Sequence, residues 1–260
     1  MQPTARSLAR TYSDRVYPDP WEKVEDYRRV QEYIAEHPNA GRTRVGNSLE
    51  LPPSRVRGWI GDTVPDPVRG INTAIDHGWL DPSPDSEIAR NLVILAAHVI
   101  GGGSVSKTWV PAVTVSRQLE PDQLRTDMET LGVETATRHV ESDSRATEVV
   151  PRTDGSVLGR CLVCMGVPRG RKTTQSELPH VLDELPDEVR RAFLITLFAH
   201  RAVEYEDKST TRLMADRPLS FHEQLADLIR DVTGESVTVD KRGVTVSANA
   251  VRALGTGMIS

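Results

Sequence analysis

The feature that most constrains this chain is an order of elements that occurs twice. Apolar residues at helical spacing over 88–100 end in Gly101-Gly102-Gly103-Ser104, and a second such run, 188–200, follows about 98 residues later. Each is followed by an alternating, strand-like stretch, 105–115 in one half and 203–214 in the other. Each half then has an amphipathic helix, over 122–131 and 221–232, ending at Leu131-Gly132 and Thr233-Gly234. A β-hairpin closes each half: 134–140 with 146–150, and 236–239 with 244–247, the latter turning at Lys241-Arg242-Gly243. This predicts an α+β body over 88–260, built from one repeat over 88–185 and another over 186–260.

The N-terminal part reads as a separate all-α domain. Residues 1–20 are expected to be loose. Trp21, Val24, Tyr27, Val30, Tyr33 and Ile34 recur at helical spacing, and His37-Pro38-Asn39 with Gly41 stops that helix. A short second helix runs through Thr43, Val45, Gly46 and Leu49; Leu51-Pro52-Pro53 marks a turn, and proline suits the start of the next helix because its missing N–H would be unpaired there. The third helix carries Ser54 to Ile60, with Val56 and Ile60 facing the core and Ser54, Arg55 and Arg57 facing outward.

Two short helices around a tight turn, with arginines on the second, form a helix-turn-helix, the arrangement that places side chains in a DNA major groove. Arg55 and Arg57 are the expected base or phosphate contacts, and Arg42 and Arg44 the backbone grip. Between Asn39 and Gly70, Arg42, Arg44, Arg55, Arg57 and Arg69 face Glu50, Asp62 and Asp66, so this stretch is +2 in a chain whose net charge is −5. Any affinity for nucleic acid must come from such local patches. Trp59 and Trp79 read as core aromatics, with the Gly78-Trp79-Leu80 corner expected to pack under this domain, residues 21–80. Residues 81–87 read as a linker.

Composition narrows the function classes. Of 260 residues, 38% are hydrophobic and 27% charged, and no apolar run approaches the length of a membrane span, so no membrane partner is expected. Residues 1–10 lack the apolar segment of a secretory signal, so the expected location is cytoplasmic and nucleoid-associated. Cys161 and Cys164 form one C-x-x-C with no second ligand pair, so no metal and no cofactor is expected. All basic residues but Lys23, Lys107, Lys172, Lys208 and Lys241 are arginine, the usage of a GC-rich genome or a salt-adapted, archaeal-type cytoplasm.

The body resembles a known family. Leu95-Ala96-Ala97-His98-Val99-Ile100-Gly101-Gly102-Gly103-Ser104 is similar to the LAGLIDADG signature helix of homing endonucleases, and Phe193-Leu194-Ile195-Thr196-Leu197-Phe198-Ala199-His200-Arg201-Ala202 to its second copy. Between them, Leu158-Gly159-Arg160, Leu162, Met165-Gly166-Val167-Pro168, Arg169-Gly170-Arg171-Lys172-Thr173-Thr174 and Leu178-Pro179 are similar to the stretch leading into the second motif. The resemblance covers 88–253, with a shortened final part over 248–254. It implies an αββαββα saddle of pseudo-two-fold symmetry whose sheets lie along the major groove. In the family the last acid of each motif holds a divalent metal; here those positions are Gly102 and Arg201, and the other acidic positions are Ile100 and Ala199.

Metal-assisted phosphodiester cleavage needs carboxylates on the ions, so the resemblance implies a body that does not cut. Candidate DNA contacts on its strands and turns are Lys107, Trp109, Arg117, Arg138 and His139 in the first repeat and Lys208, Arg212, Lys241 and Arg242 in the second. Arg201 would neutralise a phosphate where metal once sat. The expectation is a sequence-specific double-stranded DNA-binding regulator, not an enzyme, with transcription machinery as a further partner and a monomer sufficient. Bacterial sporulation regulators resemble this pairing with the domains in the opposite order. The alternatives are a nuclease with relocated ligands, Glu204 or Glu206, and a protein-interaction scaffold.

Overall fold

The computed structural model describes residues 2–61, 63–116, 119–142, 144–204 and 210–255. Among them are eleven α-helices, one short 3-10 helix and eight strands, a mixture of helix and antiparallel sheet that makes the chain α+β. The chain divides into two compact units, one from Thr4 to Asp76 and one from His77 onward that also takes in Pro3. No helix among the described residues is long and apolar enough to cross a membrane.

The first unit holds α1 (Ala5–Ala9), α2 (Pro20–Glu36), α3 (Arg42–Leu49), α4 (Pro53–Ile60) and α5 (Asp66–Asp76). Residues 1–20, expected to be loose, are instead ordered from Thr4 on. The Thr4 hydroxyl accepts from the Ser7 N–H at 3.0 Å while the Ser7 hydroxyl accepts from the Thr4 N–H at 2.9 Å, a capping box that starts α1. Leu8 and Ala9 are then fully buried as α1 packs on α5 and α2. Further on, Lys23 pairs with Asp14 at 2.6 Å and Tyr17 enters the core with its hydroxyl donating to Asp26 at 2.8 Å.

The core of this unit is Tyr17, Val30, Ala40, Val45, Leu51, Val56 and Trp59. The α3–α4 turn brings Leu51 back so closely that its N–H donates to the Gly46 carbonyl at 2.8 Å. A Cβ on residue 46 would lie 2.7 Å from the Leu51 carbonyl oxygen, so the turn requires glycine there. Glu50 closes α3 in the left-handed region at φ 57.

The second unit repeats one plan. Helix α6 (Glu87–Gly102) leads into β1 (Gly103–Val105) and β2 (Pro111–Thr114), then α7 (Pro121–Glu129), β3 (Thr135–Arg138) and β4 (Glu148–Pro151). After α8 (Gly155–Cys164) and the 3-10 helix His180–Glu184, α9 (Asp187–Arg201) leads into β5 (Ala202–Glu204) and β6 (Thr211–Met214), then α10 (Leu219–Thr233), β7 (Val237–Asp240) and β8 (Gly243–Val246). A last helix, α11, spans Ala248–Leu254. The two sheets have strand orders β1-β2-β4-β3 and β5-β6-β8-β7, all antiparallel, with Val113 opposite Val149 and Leu213 opposite Val244. The first helix of each repeat packs on its first hairpin and the second on its second hairpin.

Helix α6 is buried on all sides from Leu95 to Gly101, with His98 the one polar side chain in that stretch. Ser86 starts it by accepting from the Ala89 N–H at 3.2 Å. It packs along α9, and the close approach is made at Gly101, where a Cβ would meet the His200 Cβ at 2.8 Å.

Two expectations about the boundary are corrected. Trp79 does not pack under the helical domain: it is fully buried in the second unit, where its indole N–H donates to the Leu131 carbonyl at 3.1 Å and its ring stacks on His77 at 4.2 Å. Residues 81–87 therefore lie within the second unit instead of linking the two, and Asp81 N–H donates to the Pro3 carbonyl at 2.9 Å. Burying so large an aromatic outweighs the local turn signals of the proline- and serine-rich segment.

Candidate nucleic-acid interface

In the first unit the exposed candidates are Arg42 and Arg44 on α3 and Ser54 and Arg57 on α4. Ser54 and Arg57, three residues apart, share one face of α4. Neither Gly41 nor Pro52 caps its helix with a side chain, which leaves the first amides of α3 available to an acceptor, whereas α4 begins at Pro53, which has no N–H, and its Arg55 N–H donates to the Pro52 carbonyl at 2.9 Å. Arg44 lies beside Tyr33, whose hydroxyl is held below the usual phenol range by its 3.0 Å bond to Ser48 and then by Arg44.

Arg55 is not an outward contact. Its guanidinium lies 4.5 Å from the centre of the Tyr17 ring and donates to the Tyr17 hydroxyl at 2.9 Å, leaving the side chain half-buried. Burial and the bond to Asp26 raise the Tyr17 hydroxyl well above the phenol range, so it stays protonated and accepts from Arg55 while donating to Asp26. This chain of groups ties α4 to α2. Arg69 is exposed but ion-paired with Asp66 one turn earlier.

In the second unit several candidates are already engaged. Arg138 pairs across the hairpin with Glu148 at 2.7 Å, and His139 lies 3.9 Å from the same carboxylate. Arg212 donates to both oxygens of Asp240, at 2.6 and 2.5 Å. The Trp109 ring has the guanidiniums of Arg160 and Arg169 over it at 4.3 and 4.2 Å, so it packs within the unit. Lys107, Lys241 and Arg242 are exposed and make no ion pair among the described residues. Arg117, Lys208 and Glu206 lie outside the described residues.

The register separates the first-repeat candidates. Because β2 and β4 run antiparallel with Thr114 opposite Glu148, the β1–β2 turn holding Lys107 and Trp109 is at one end of its sheet and the β3–β4 turn holding His139 is at the other. In the second sheet Lys241 and Arg242 form the β7–β8 turn, beside Met214 at the end of β6.

The centre of the unit holds polar groups that the sequence reading did not single out. His98 on α6 is bonded through Nε2 to Asp127 on α7 at 2.8 Å and through Nδ1 to His200 Nε2 on α9 at 2.9 Å. The proton order that satisfies both bonds runs from His200 Nε2–H to His98 Nδ1 and from His98 Nε2–H to the Asp127 carboxylate. Burial first, then His98, Arg201 and Lys172, push the His200 imidazole down to about 3. The His200 ring fills the space that a Cβ on Gly102 would occupy.

Beside this relay the end of α6 is capped by two cations from distant segments. Lys172 Nζ donates to the Val99 and Ile100 carbonyls at 3.0 and 3.2 Å, and Arg217 donates to Ile100 at 3.2 Å. These are terminal carbonyls of the helix, the negative end of its dipole. Arg201 adjoins them, so the one basic residue that the resemblance placed at the old metal position sits with Lys172 and Arg217. A run of basic residues around Lys172 is visible in the sequence; nothing local marks Arg217. A larger cleft of about 560 Å³ elsewhere is lined by Glu177, Asp183, Asp227 and Asp231 among others and has its arginine, Arg190, paired with Asp187 and Asp231.

No protein-family model matches this chain, and no curated protein matches it either.

Proposed function

We propose that the chain is a double-stranded DNA-binding protein of the regulator type, with a LAGLIDADG-like body that has given up the metal-dependent cutting of its endonuclease relatives. The observation that carries this reading is the pair α3 and α4: a tight turn enforced at Gly46, exposed Ser54 and Arg57 on one face of the second helix, and Arg42 and Arg44 at the start of the first. Such a helix presents its N-terminal side chains to base edges while the uncapped amides and arginines of the preceding helix take phosphate oxygens.

The body supports the same reading through its duplicated sheets and the helix pair α6 and α9, which meet at Gly101. Where an endonuclease would need metal-holding acids, this chain has Gly102 under the His200 ring and Arg201 in a basic cleft. A cation at that place repels Mg²⁺, so anion binding without metal-dependent cleavage is the chemistry left to it. Lys107, Lys241 and Arg242 are the exposed strand-turn groups with which the sheets would meet a backbone.

The test is duplex binding by the full chain over a series of salt concentrations, with Mg²⁺ present. The reading predicts saturable binding, a log–log salt slope of about −0.9 for each phosphate neutralised, and no strand breaks. Arg57→Ala should weaken binding about 5- to 150-fold at a preferred sequence, the equivalent of about 1–3 kcal/mol for one arginine–base contact. Binding unchanged in Arg57→Ala together with Arg42→Ala would point to a scaffold, and Mg²⁺-dependent nicking to a nuclease.

A further inference from the structure

The cations at the end of α6 exceed what capping needs. The cleft they line has a volume of about 410 Å³ and is walled by Arg171, Lys172, Thr173, Arg201, Ala215, Asp216 and Arg217. Asp216 is the one carboxylate among these, and it is exposed. Arg201 makes no ion pair with any described residue, and the Nε of Arg217 is buried without a hydrogen-bond partner. A buried donor left open like the Arg217 Nε is costly unless something accepts from it.

We propose that this cleft binds the dianionic phosphate group of a phosphomonoester, gripped by Arg171, Lys172, Arg201 and Arg217. Guanidinium forks match the tetrahedral oxygens of a phosphate two at a time, and a lysine ammonium adds a compact charge. The cleft is larger than a phosphate alone, so the group enters with part of the molecule that carries it. Thr173 at the wall adds a hydroxyl.

The charge balance selects the dianion. Three guanidiniums and the Lys172 amine face one carboxylate, and the burial of Lys172, followed by repulsion from Arg217 and Arg201, brings its ammonium down to about 7; burial and Arg201 bring Arg217 down to about 10. Besides the arginines and Asp216, His200 on α9 is a titratable group close enough to feel Lys172, and it is held neutral at that pH. A phosphodiester, with a single negative charge, offsets less of this field than a phosphomonoester. Binding the dianion restores the ammonium of Lys172, so it takes up a proton near neutral pH. The inference does not rest on DNA recognition by α4.

The probe is inorganic phosphate, titrated calorimetrically into the full chain at pH 7.5 and constant ionic strength in two buffers of different ionisation enthalpy. The expected result is one saturable site with proton uptake and a raised Tm, weakened tenfold or more in Arg201→Gln. Arg171→Ala, an exposed residue whose loss does not disturb the helix cap, should weaken it severalfold, and keeps the test valid if Arg201→Gln misfolds. Competition by a 5′-phosphorylated duplex but not its 5′-hydroxyl form would make the source a strand end, and competition by neither a small phosphoester. No saturable site, affinity unchanged in both variants, or equal displacement by the 5′-hydroxyl duplex would overturn the proposal.

Discussion

The imidazole of His200 on α9 lies directly against the α-carbon of Gly102 on α6, in the volume a side chain at 102 would fill. Under the proposed LAGLIDADG-like reading, the acid absent from position 102 is matched by a residue on the partner helix, so an acid placed there alone would have no room to serve as a metal ligand. Gly102→Asp should destabilise the second unit by about 3 kcal/mol, the upper range for overpacking a tight core. Adding His200→Ala should return part of that loss, because the two changes share one contact. Urea denaturation of the single and double variants measures this; additive effects would show that the contact does not govern the site.

His200 also makes stability depend on pH. Its folded value of about 3 lies below the unfolded value of about 6.5, so between these the unfolded chain binds more protons. The contribution is complete above pH 6.5 and is lost as pH falls toward 3, at about 1.4 kcal/mol per pH unit from one proton. Denaturant midpoints between pH 7 and 4.5 should show this slope in the wild type and a shallower one in His200→Gln. Equal slopes would place the titration elsewhere.

Trp79 assigns the segment after α5 to the second unit. Trp79→Ala should cost about 3–5 kcal/mol, the range for removing a large buried aromatic, and should do so in that unit. In a calorimetric melt of the full chain the transition of the second unit should move down while that of the first stays in place. A shift confined to the first unit would contradict the burial of Trp79 beside Leu131.

Arg55 and Arg57 are two residues apart on α4 and should behave differently. Arg55→Ala removes the ring contact and hydrogen bond to Tyr17 and leaves the Tyr17–Asp26 pair without its cation, so a loss of about 1–2 kcal/mol in Tm-derived stability is expected. Arg57→Ala touches exposed surface only, and its effect on stability should be within about 0.5 kcal/mol. Thermal melts of the two variants distinguish them.

The repeated order of helices and hairpins was legible because hydrophobic period changes at each boundary and glycines close the helices at Gly132 and Gly234. The α3–α4 turn was legible from Leu51-Pro52-Pro53. What could not be read is pairing through space. Whether an arginine on a strand is free depends on register, and register is what sets Arg138 against Glu148 and Arg212 near Asp240. Arg55 turned inward because Tyr17, in a segment expected to be loose, folds back onto the helices. Lys172 and Arg217 come together only where two loops far apart in the chain meet at the last carbonyls of α6.

The central claim is that α4 reads DNA, and genome-wide occupancy of the tagged protein at native expression tests it most directly. The wild type should give discrete peaks sharing a sequence motif, and Arg42→Ala with Arg57→Ala, in which Arg55 is kept so that the fold is intact, should lose them at equal protein level. An absence of enrichment in the wild type, or identical peaks in the variant, would contradict it.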